Sequence, residues 1–550
     1  MRLSTRPERD WAQGVAAIRA AYAAGVRLFD TAHAYALDDG ELGHNERLLC
    51  EALEGREAFV VSKGGMARPE GKWRPDGRAS RLRSDCEASV KALGRPIDAY
   101  LVHAPDPGTA WSTTLRALKK LHDEGLVRAI GVSNVNLARL EEALAIAPIS
   151  LIQVKLSLLD DECVMNGLLA RCVERRLIVM AHSPLGGPKR VRKFLRAPVL
   201  VELAAQRQVS AANVAISALL ALAANVVALP GAGREETARE LARVIELSPS
   251  ELSRLRAVFT TLRERPSPIA LRPTRVDGEV VLLMGLQGAG KSTHVAEWEA
   301  RGYHRLNHDN TTGTLRDLTR TAERLLNEGQ TRLVLDNTYT TRSSRAHMLD
   351  VVARFGIPTR GIWYDISLQQ AQVNVIERML TAHGRLLEPW EMRVNPHNTA
   401  LPPSGQLRLL RDLEVPSEEE GFSVLERVSF IRRPATHGKP GRFVALEAFD
   451  GFVLDGDERP TAVFGWRPDL TDEAFGELNS RVTARGATLM VCRHREGPPV
   501  CWCRPPLPGL LLAFARSSGV DLSQSELIAA SSAHEAMGRV VGARVSSVAV

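Results

Sequence analysis

Four polar residues in the first half of the chain combine into an acid–base set. Asp30, Lys63 and His103 end three successive apolar runs, and Tyr35 lies in the loop after the first of them. An ammonium group beside a phenol lowers the phenol pKa, and a carboxylate holds the ammonium in place. A histidine on the opposite side can orient a carbonyl oxygen. The set predicts proton delivery from Tyr35 to a carbonyl that accepts a hydride.

A glycine-rich turn in the second half has the spacing of a phosphate-binding loop. The segment GLQGAGKST follows an apolar run that starts at Val280 and precedes a helical pattern. Its glycines allow backbone N–H groups to converge on phosphates at a helix N-terminus. Lys291 is expected to contact the β- and γ-phosphates of ATP, and Ser292 to bind Mg²⁺. The predicted nucleotide-binding residues are Gly285, Gly288, Gly290, Lys291, Ser292 and Thr293.

Two carboxylates and three arginines follow this turn. Asp336 ends the apolar run LVLD and suits a water-mediated Mg²⁺ contact, whereas Asp309 suits a general base for an attacking hydroxyl. Arg342, Arg345 and Arg378 lie on predicted helices that could close over the phosphates as a lid. Together they predict phosphoryl transfer.

Three cysteines and one histidine crowd a short segment near the end of the chain. They are Cys492, His494, Cys501 and Cys503. Three thiolates and one imidazole form a closed tetrahedral Zn²⁺ site, which is structural rather than catalytic.

The elements that must position the first set alternate between buried strands and amphipathic helices such as Ala79–Leu93 and Ala110–Glu124. Repeated β-then-α units at this pitch predict a parallel sheet closed into a barrel. The seven predicted strands are Arg27–Ala32, Ala58–Lys63, Ile97–His103, Val127–Ser133, Ser150–Lys155, Leu177–Pro184 and Asn225–Ala232.

The fold class is therefore α/β throughout, in three domains. We predict a barrel over residues 1–262, a proline-rich linker over 263–278, a P-loop α/β domain over 279–434 and a small α/β domain over 441–550.

The composition of the 550 residues, 44% hydrophobic and 25% charged, excludes wholesale disorder and a fibrous chain. No apolar run is long enough for a transmembrane helix, and the charged start MRLSTRPERDW lacks the apolar core of a signal peptide. Together with seven cysteines this predicts a cytoplasmic protein without a membrane partner. The net charge of +7 permits an anionic partner.

The segments LFDTAHAY, VVSKGG, YLVHAPDP, GVSN, AHSPLGG and ALPGAGREETARE resemble those of the aldo-keto reductase family over about residues 1–255. The resemblance implies a catalytic tetrad of Asp30, Tyr35, Lys63 and His103, with Tyr35 as the acid and a small carbonyl compound as substrate. The arginines Arg234 and Arg239 suit a 2′-phosphate, and this favours NADPH over NADH as the cofactor. The implied cofactor-binding residues are Ser133, Asn134, Gln153, Ser183, Leu185, Gly231, Arg234 and Arg239.

The family barrel has a strand before the first helix, but this chain starts nearly at that helix. We therefore expect a (β/α)8-type TIM barrel that lacks its first strand, with two open edges. Either a segment upstream of Met1 or another segment of the chain is expected to fill the gap.

Val280 to about Ser429 resembles the 5′-hydroxyl kinase domain of polynucleotide kinase-phosphatases, in the segments GLQGAGKST, LNHDN, VLDNTYTTRSSRAHMLDVVARFGIP, VNVIERM and LEVPSEEEGF. The resemblance implies Asp309 as base, Arg345 and Arg378 as lid residues, and nucleic-acid 5′ ends as the partner. His308 stands where the family commonly has arginine. Related small kinases phosphorylate sugars, antibiotics or peptides, which leaves the acceptor open.

The segment RPPLPGLLL resembles the one after the zinc loop in haloacid-dehalogenase-type phosphatases of the histidinol- and heptose-phosphate kind, and FVALEAFDG takes the place of their nucleophile strand. That family needs two aspartates one residue apart, whereas here Asp450 stands with Ala448, and Glu447 is out of register. Without a nucleophile, covalent phosphoryl transfer has no mechanism. The sequence predicts an inactive phosphatase-like domain.

Three hypotheses for the whole chain follow. Both enzymes are active; or only the kinase is active and the barrel is an NADPH-binding sensor or scaffold; or the kinase phosphorylates a small metabolite linked to the reductase. The complete tetrad favours an active barrel.

Overall fold

The structure is a computed structural model that describes residues 1, 3–263, 273–307, 314–394, 402–429, 438–453, 458–495 and 500–548. The chain divides into two compact units, Met1–Arg265 and Pro266–Val550, and each is described by itself. The division falls within the predicted linker. Among the described residues, no helix is long and apolar enough to cross a membrane.

Seven of the strands in the first unit form one parallel sheet in the order β1-β2-β5-β6-β7-β8-β9, and β3 and β4 form a separate hairpin. All seven predicted strands are confirmed. The strands are β1 (Leu28–Asp30), β2 (Phe59–Gly64), β3 (Met66–Ala67), β4 (Arg74–Pro75), β5 (Ile97–Val102), β6 (Val127–Ser133), β7 (Ile149–Lys155), β8 (Ile178–His182) and β9 (Val226–Leu229).

Helices follow most of these strands. They are α1 (Trp11–Ala23), α2 (His44–Ala52), α3 (Ala79–Leu93), α4 (Trp111–Asp123), α5 (Leu137–Ile146), α6 (Glu162–Met165), α7 (Leu168–Glu174), α8 (Val191–Phe194), α9 (Pro198–Arg207), α10 (Ala211–Leu220), α11 (Glu235–Leu241) and α12 (Pro249–Val258). Strand β5 is buried along its whole length, as expected for a parallel strand covered on both faces.

Alternation along the strands decides which side chains face the barrel interior. Val61, Leu101 and Met180 pack together in an apolar cluster that also includes Ala99 and Leu151. Because strand side chains repeat with a period of two, the next residue on the same face lies at the carboxyl end of each strand. That rule places Lys63, His103 and His182, two positions after Val61, Leu101 and Met180, directly above the apolar cluster.

The barrel is nearly closed. In the part of the chain that the structure describes, no strand pairs with the outer edges of β1 and β9. Helix α1 packs against α11, the helix that follows β9. The sheet itself keeps two unpaired edges among the described residues.

The second unit contains two five-stranded parallel sheets. The first, the P-loop sheet, has the order β11-β12-β10-β13-β14, and the second, the C-terminal sheet, has the order β17-β16-β15-β18-β19. The strands are β10 (Glu279–Met284), β11 (His304–Leu306), β12 (Arg332–Asp336), β13 (Thr359–Asp365), β14 (Val424–Ser429), β15 (Lys439–Ala445), β16 (Thr461–Trp466), β17 (Thr488–Cys492), β18 (Val520–Ala529) and β19 (Arg544–Ser547).

The helices of this unit flank both sheets. They are α13 (Lys291–Ala300), α14 (Leu315–Asn327), α15 (Arg342–Arg354), α16 (Leu368–His383), α17 (Pro389–Val394), α18 (Pro403–Arg411), α19 (Asp472–Ala484), α20 (Gly509–Ser518) and α21 (Ser532–Val541). In both sheets the first strand lies in the centre and the strand order reverses beside it. Ligands of such open sheets bind outside the carboxyl ends of the strands at this point.

Candidate functional site

The acid–base set of the barrel is assembled around Lys63. Its Nζ lies 2.7 Å and 2.8 Å from the two carboxylate oxygens of Asp30, 2.6 Å from the carbonyl oxygen of Thr31 and 3.3 Å from the hydroxyl of Tyr35. The Lys63 side chain is fully buried. The ammonium group therefore stands between a carboxylate and a phenol, as the sequence predicts.

Burial and neighbouring charges act together on this pair. Burial raises the pKa of Tyr35 above its ordinary value, although Lys63 acts to lower it. Burial lowers the pKa of Lys63, but Asp30 and Tyr35 raise it, and the pKa stands above its ordinary value. The phenol is thus protonated and the lysine charged at neutral pH, which are the states that a proton donor and its stabilising cation require.

His103 forms an aromatic wall beside Tyr35. The two ring centroids are 5.7 Å apart with the planes at 78°, and the exposed Trp73 packs edge-on against both rings. Burial, with a further contribution from Lys63, holds the pKa of His103 well below its ordinary range. The imidazole is therefore neutral. Its buried Nδ1 has no hydrogen-bond partner among the described residues.

Several of the predicted cofactor-binding residues lie beside this centre, namely Ser133, Asn134 and Gln153 for the nicotinamide and Ser183 for the pyrophosphate. Asn134 and Ser183 follow strand ends with left-handed φ angles of 57° and 56°. The Asn134 amide donates to the His103 carbonyl oxygen at 2.9 Å and to Ser133 Oγ at 3.2 Å. The Gln153 amide donates to Asp30 Oδ1 at 2.7 Å, so it contacts the tetrad directly.

Sequence reasoning missed two residues at the barrel mouth, which is the end of the barrel where Tyr35, Lys63 and His103 lie. His182 Nε2 lies 3.2 Å from Asn134 Oδ1, and burial lowers the pKa of His182 to about 4. Trp73 comes from the β3–β4 hairpin, where it lies among charged residues without periodicity. The position of His182 at the end of β8 was the signal that could have identified it.

The remaining predicted cofactor-binding residues are Leu185, Gly231, Arg234 and Arg239. Gly231 and Arg234 are exposed, and no described residue other than Gly231 and its two chain neighbours has an atom within 4 Å of where a Cβ on Gly231 would stand. Arg239 is ion-paired with Glu235 at 2.6 Å, and Leu185 is half-buried in an apolar cluster. The open space at Gly231 and the His103 Nδ1 without a partner among the described residues are compatible with a bound nicotinamide dinucleotide.

The P-loop, Gly285–Thr293, has the backbone expected of a phosphate cradle. The φ angles of Gly285, Gly288 and Gly290 are 142°, 88° and 90°, a region that favours glycine. Lys291 begins α13, and its Nζ donates to the carbonyl oxygens of Gly285 and Leu286 at 2.9 Å each. The ammonium group thus lies across the loop where phosphates would bind.

Asp336 gathers polar partners beside the P-loop. Its Oδ2 accepts hydrogen bonds from Ser292 Oγ at 3.1 Å and Asn307 Nδ2 at 3.0 Å. Arg305, which sequence reasoning missed, pairs with the same oxygen at 2.7 Å. The two residues predicted to hold Mg²⁺ are therefore in contact, and their oxygen donors fit that cation. Asp309 lies outside the described residues.

Comparison with known proteins identifies the first unit. Residues 8–259 match the model of the aldo/keto reductase family. Methylglyoxal reductase YeaE of Escherichia coli (strain K12) is 32% identical over 249 residues, which cover 44% of this chain and 82% of that protein. The chain belongs to the aldo/keto reductase family. Residues 280–387 match a second model, described as an AAA domain.

Solved structures similar to the chain are reductases as well. The thermostable aldo-keto reductase Tm1743 is 32% identical, with 45% of this chain and 89% of that chain covered and a TM-score of 0.39. An aldo/keto reductase from Klebsiella pneumoniae, in complex with NADP and acetate, is 27% identical, with coverages of 47% and 88% and a TM-score of 0.40. The two family models together describe the chain as an aldo/keto reductase domain followed by an AAA domain.

Arg345, which the sequence predicts as a lid residue of the P-loop domain, lies in the core. Its side chain is fully buried, with Nε and Nη2 donating to the two carboxylate oxygens of Glu420 at 2.6 Å and 2.7 Å. Nη1 donates to the Tyr339 carbonyl oxygen at 2.9 Å. A guanidinium held at three points in the core cannot close over a phosphate. Arg378 is exposed on α16, and its lid role stays a prediction.

We expect Glu420→Gln to lower the free energy of unfolding of the second unit by about 3 kcal/mol, because it leaves the Arg345 charge buried without a counter-charge. Hydrogen-exchange mass spectrometry of α15 peptides in a urea series measures this loss. Glu418→Gln, an exposed neighbour in the same turn, is the control and should change nothing. Equal stability of the two variants would contradict a structural role for this ion pair.

The candidate metal centre lies at the end of β17. The ligand atoms of Cys492, His494, Cys501 and Cys503 all lie within 4.8 Å of one another. His494 Nδ1 is 3.4 Å from Cys492 Sγ and 3.2 Å from Cys503 Sγ, and the sulfur atoms of Cys492 and Cys501 are 3.7 Å apart.

The chemistry of these donors fits a divalent cation. Hydrogen bonds from Cys492 and Cys503 lower the pKa of Cys501, whereas sulfur neighbours raise the pKa values of the other two. Three adjacent thiolates repel one another unless a cation lies between them. Three sulfurs and one imidazole nitrogen are the donor set that Zn²⁺ prefers.

The protein is therefore expected to carry about one equivalent of zinc per chain, and Cys501→Ser is expected to release it. Because a structural zinc contributes folding free energy, residues beyond about 436 should unfold more readily. A colorimetric chelator assay and thermal unfolding measure both effects. The control, Cys50→Ser in the reductase domain, should retain the metal. Full zinc content in Cys501→Ser would rule out this ligand set.

The acidic residues expected near a phosphatase centre lie at the surface. Glu447, in the turn after β15, is exposed. Asp450 is also exposed, and its Oδ1 lies 3.5 Å from Nη2 of Arg481. Burial lowers the pKa of the neighbouring His534. The resemblance of residues 441–550 to phosphatases, and their inactivity, stay predictions.

Proposed function

We propose that the reductase domain reduces small carbonyl compounds with NADPH. The observation that carries this proposal is the buried Lys63 ammonium, 3.3 Å from the Tyr35 hydroxyl and held by Asp30. The name of the E. coli relative supports an aldehyde or ketone of the size of methylglyoxal as substrate. Ser133, Asn134 and Gln153 would hold the nicotinamide carboxamide, and Ser183 and Leu185 would lie near the pyrophosphate of the cofactor, which supplies a hydride when bound.

The residues of the barrel mouth account for the proton side of the reaction. Tyr35 donates its hydroxyl proton to the carbonyl oxygen, and the phenolate that forms is stabilised by the Lys63 ammonium. The neutral His103 donates a hydrogen bond that orients the same oxygen. The ring of Trp73 covers one side of the mouth and excludes water from the reacting carbonyl.

Arg234 is our candidate for the 2′-phosphate of NADPH, because it is exposed beside the open loop at Gly231. Arg239 contributes only if it releases Glu235. Fluorescence titration of the full chain should give a lower Kd for NADPH than for NADH, and Arg234→Ala should reduce that preference. Equal affinities would show that a 2′-phosphate is not recognised.

We further propose that the P-loop domain is an ATP-dependent kinase. Lys291 would contact the phosphates, Ser292 would bind Mg²⁺, and Asp336 would contact the ion through a water molecule. The sequence resemblance to 5′-hydroxyl kinases supports nucleic-acid ends as the acceptor and Asp309 as the base. A small metabolite is the alternative acceptor.

Transfer of labelled γ-phosphate from ATP to 5′-hydroxyl oligonucleotides tests this proposal, with sugars and nucleosides as competitors. Label on the oligonucleotide supports the nucleic-acid acceptor. The affinity of the protein for the oligonucleotide should then fall as the salt concentration rises. Label on a sugar or nucleoside alone supports the metabolite alternative. For residues 441–550, hydrolysis of 3′-phosphate ends and sugar phosphates should stay at background.

A further inference from the structure

The imidazole of the metal centre contacts a residue that lies outside the C-terminal sheet. His494 turns Nδ1 toward the sulfurs of Cys492 and Cys503, and its Nε2 lies 2.8 Å from Glu388 Oε2. Glu388 stands between α16 and α17, and α16 follows β13 of the P-loop sheet along the chain. Metal-bound histidines usually donate their second ring N–H to a carboxylate, and loss of that partner weakens metal binding.

The other end of this connection touches the P-loop. The Asn374 side chain on α16 donates to the Gly288 carbonyl oxygen at 2.7 Å. A Cβ on Gly288 would stand only 2.3 Å from the carbonyl oxygen of Ala371 on the same helix. The helix and the phosphate loop are in direct contact, so a shift of α16 must move the loop.

Between these two ends, α16 packs against the C-terminal sheet. Ile376 and Leu380 share one apolar cluster with Phe443 of β15 and Leu511 of α20. The Thr381 hydroxyl accepts a hydrogen bond from Arg516 at 3.0 Å. The helix is thus a packed element with the P-loop at one end and the metal centre at the other.

We propose that a metal ion bound at the candidate metal centre tightens nucleotide binding at the P-loop, and that Glu388 and α16 transmit the effect. A bound cation polarises the His494 ring, so its N–H makes a stronger hydrogen bond to the Glu388 carboxylate. The occupied site therefore stabilises one position of α16, whereas the empty site leaves Glu388 with a weaker partner. This coupling rests on the proposed nucleotide binding by the P-loop domain.

Coupling of this kind is reciprocal, so two equilibrium measurements on the full chain test it. The Kd for ADP is measured with zinc bound and after removal of zinc by a chelator, and the zinc affinity is measured with and without saturating ADP. We expect zinc removal to weaken ADP binding about fivefold or more, and ADP to tighten zinc binding by the same factor.

Glu388→Gln separates this route from a general effect of the metal on folding. The variant should bind zinc about tenfold more weakly. At saturating zinc it should bind ADP more weakly than the natural protein does. Glu328→Gln is the matched control, because its side chain is 55% exposed against 53% for Glu388 and also has one basic partner. It should leave both affinities unchanged.

The outcomes are distinct. Tight ADP binding that is the same with and without zinc overturns the coupling but leaves the kinase proposal standing. No ADP binding in the zinc-loaded protein overturns both. Unchanged zinc affinity in Glu388→Gln overturns the role of Glu388 even if zinc removal weakens ADP binding, because unfolding of the C-terminal sheet would then explain the loss.

Discussion

Tyr35→Phe is expected to lower carbonyl reduction about 10²–10⁴-fold, the usual contribution of a positioned general acid. The substitution removes only the hydroxyl that lies 3.3 Å from Lys63 Nζ, and the ring can keep its packing against His103. NADPH binding should therefore persist. Steady-state rates give the loss of activity, and fluorescence titration of NADPH gives the retained affinity.

Tyr22→Phe serves as the control, because Tyr22 lies on α1 with its ring against the Arg27 guanidinium, away from the tetrad. It should reduce carbonyls at the rate of the natural protein. A Tyr35→Phe variant that retains most of its activity would mean that another group donates the proton.

The second large effect is expected in the P-loop domain. Lys291→Ala should abolish phosphoryl transfer, because it removes the only side-chain cation that spans the loop carbonyls of Gly285 and Leu286 in the described residues. Transfer of γ-phosphate from ATP measures the loss. Lys439→Ala, at an exposed position at the start of β15, is the control and should transfer phosphate normally.

Asp309→Ala tests the acceptor side of the same reaction. It should also abolish transfer but leave ATP binding largely intact, because a base contacts the acceptor hydroxyl and not the nucleotide. Full activity in this variant would remove Asp309 from the mechanism, even if Lys291→Ala is inactive.

The sequence was most informative where one rule linked position to geometry. Strand periodicity located all seven barrel strands. The carboxyl ends of parallel strands share one edge of the sheet, and this rule predicts from the sequence that Asp30, Lys63 and His103 lie close together. The P-loop and the cysteine cluster were local in sequence, so their spacing was sufficient to predict that their members lie together.

What the sequence could not provide depended on distant partners and on burial. Arg345 has the position of a lid residue, but its partner Glu420 lies 75 residues further along the chain. Glu388 is one acidic residue in a charged stretch until His494, 106 residues away, is placed beside it. The pKa of Tyr35 rises because of burial, whereas the local pattern showed only the neighbouring lysine.

The most direct test of the central claim uses NADPH that carries deuterium at the transferred position, together with methylglyoxal and the full chain. Mass spectrometry of the alcohol product reports where the hydride came from. We predict one deuterium per product molecule, with the deuterated product formed about 10²–10⁴-fold more slowly by Tyr35→Phe. A product without deuterium, or NADPH that binds and is never oxidised by any small carbonyl, would contradict the assignment of the barrel as an active reductase.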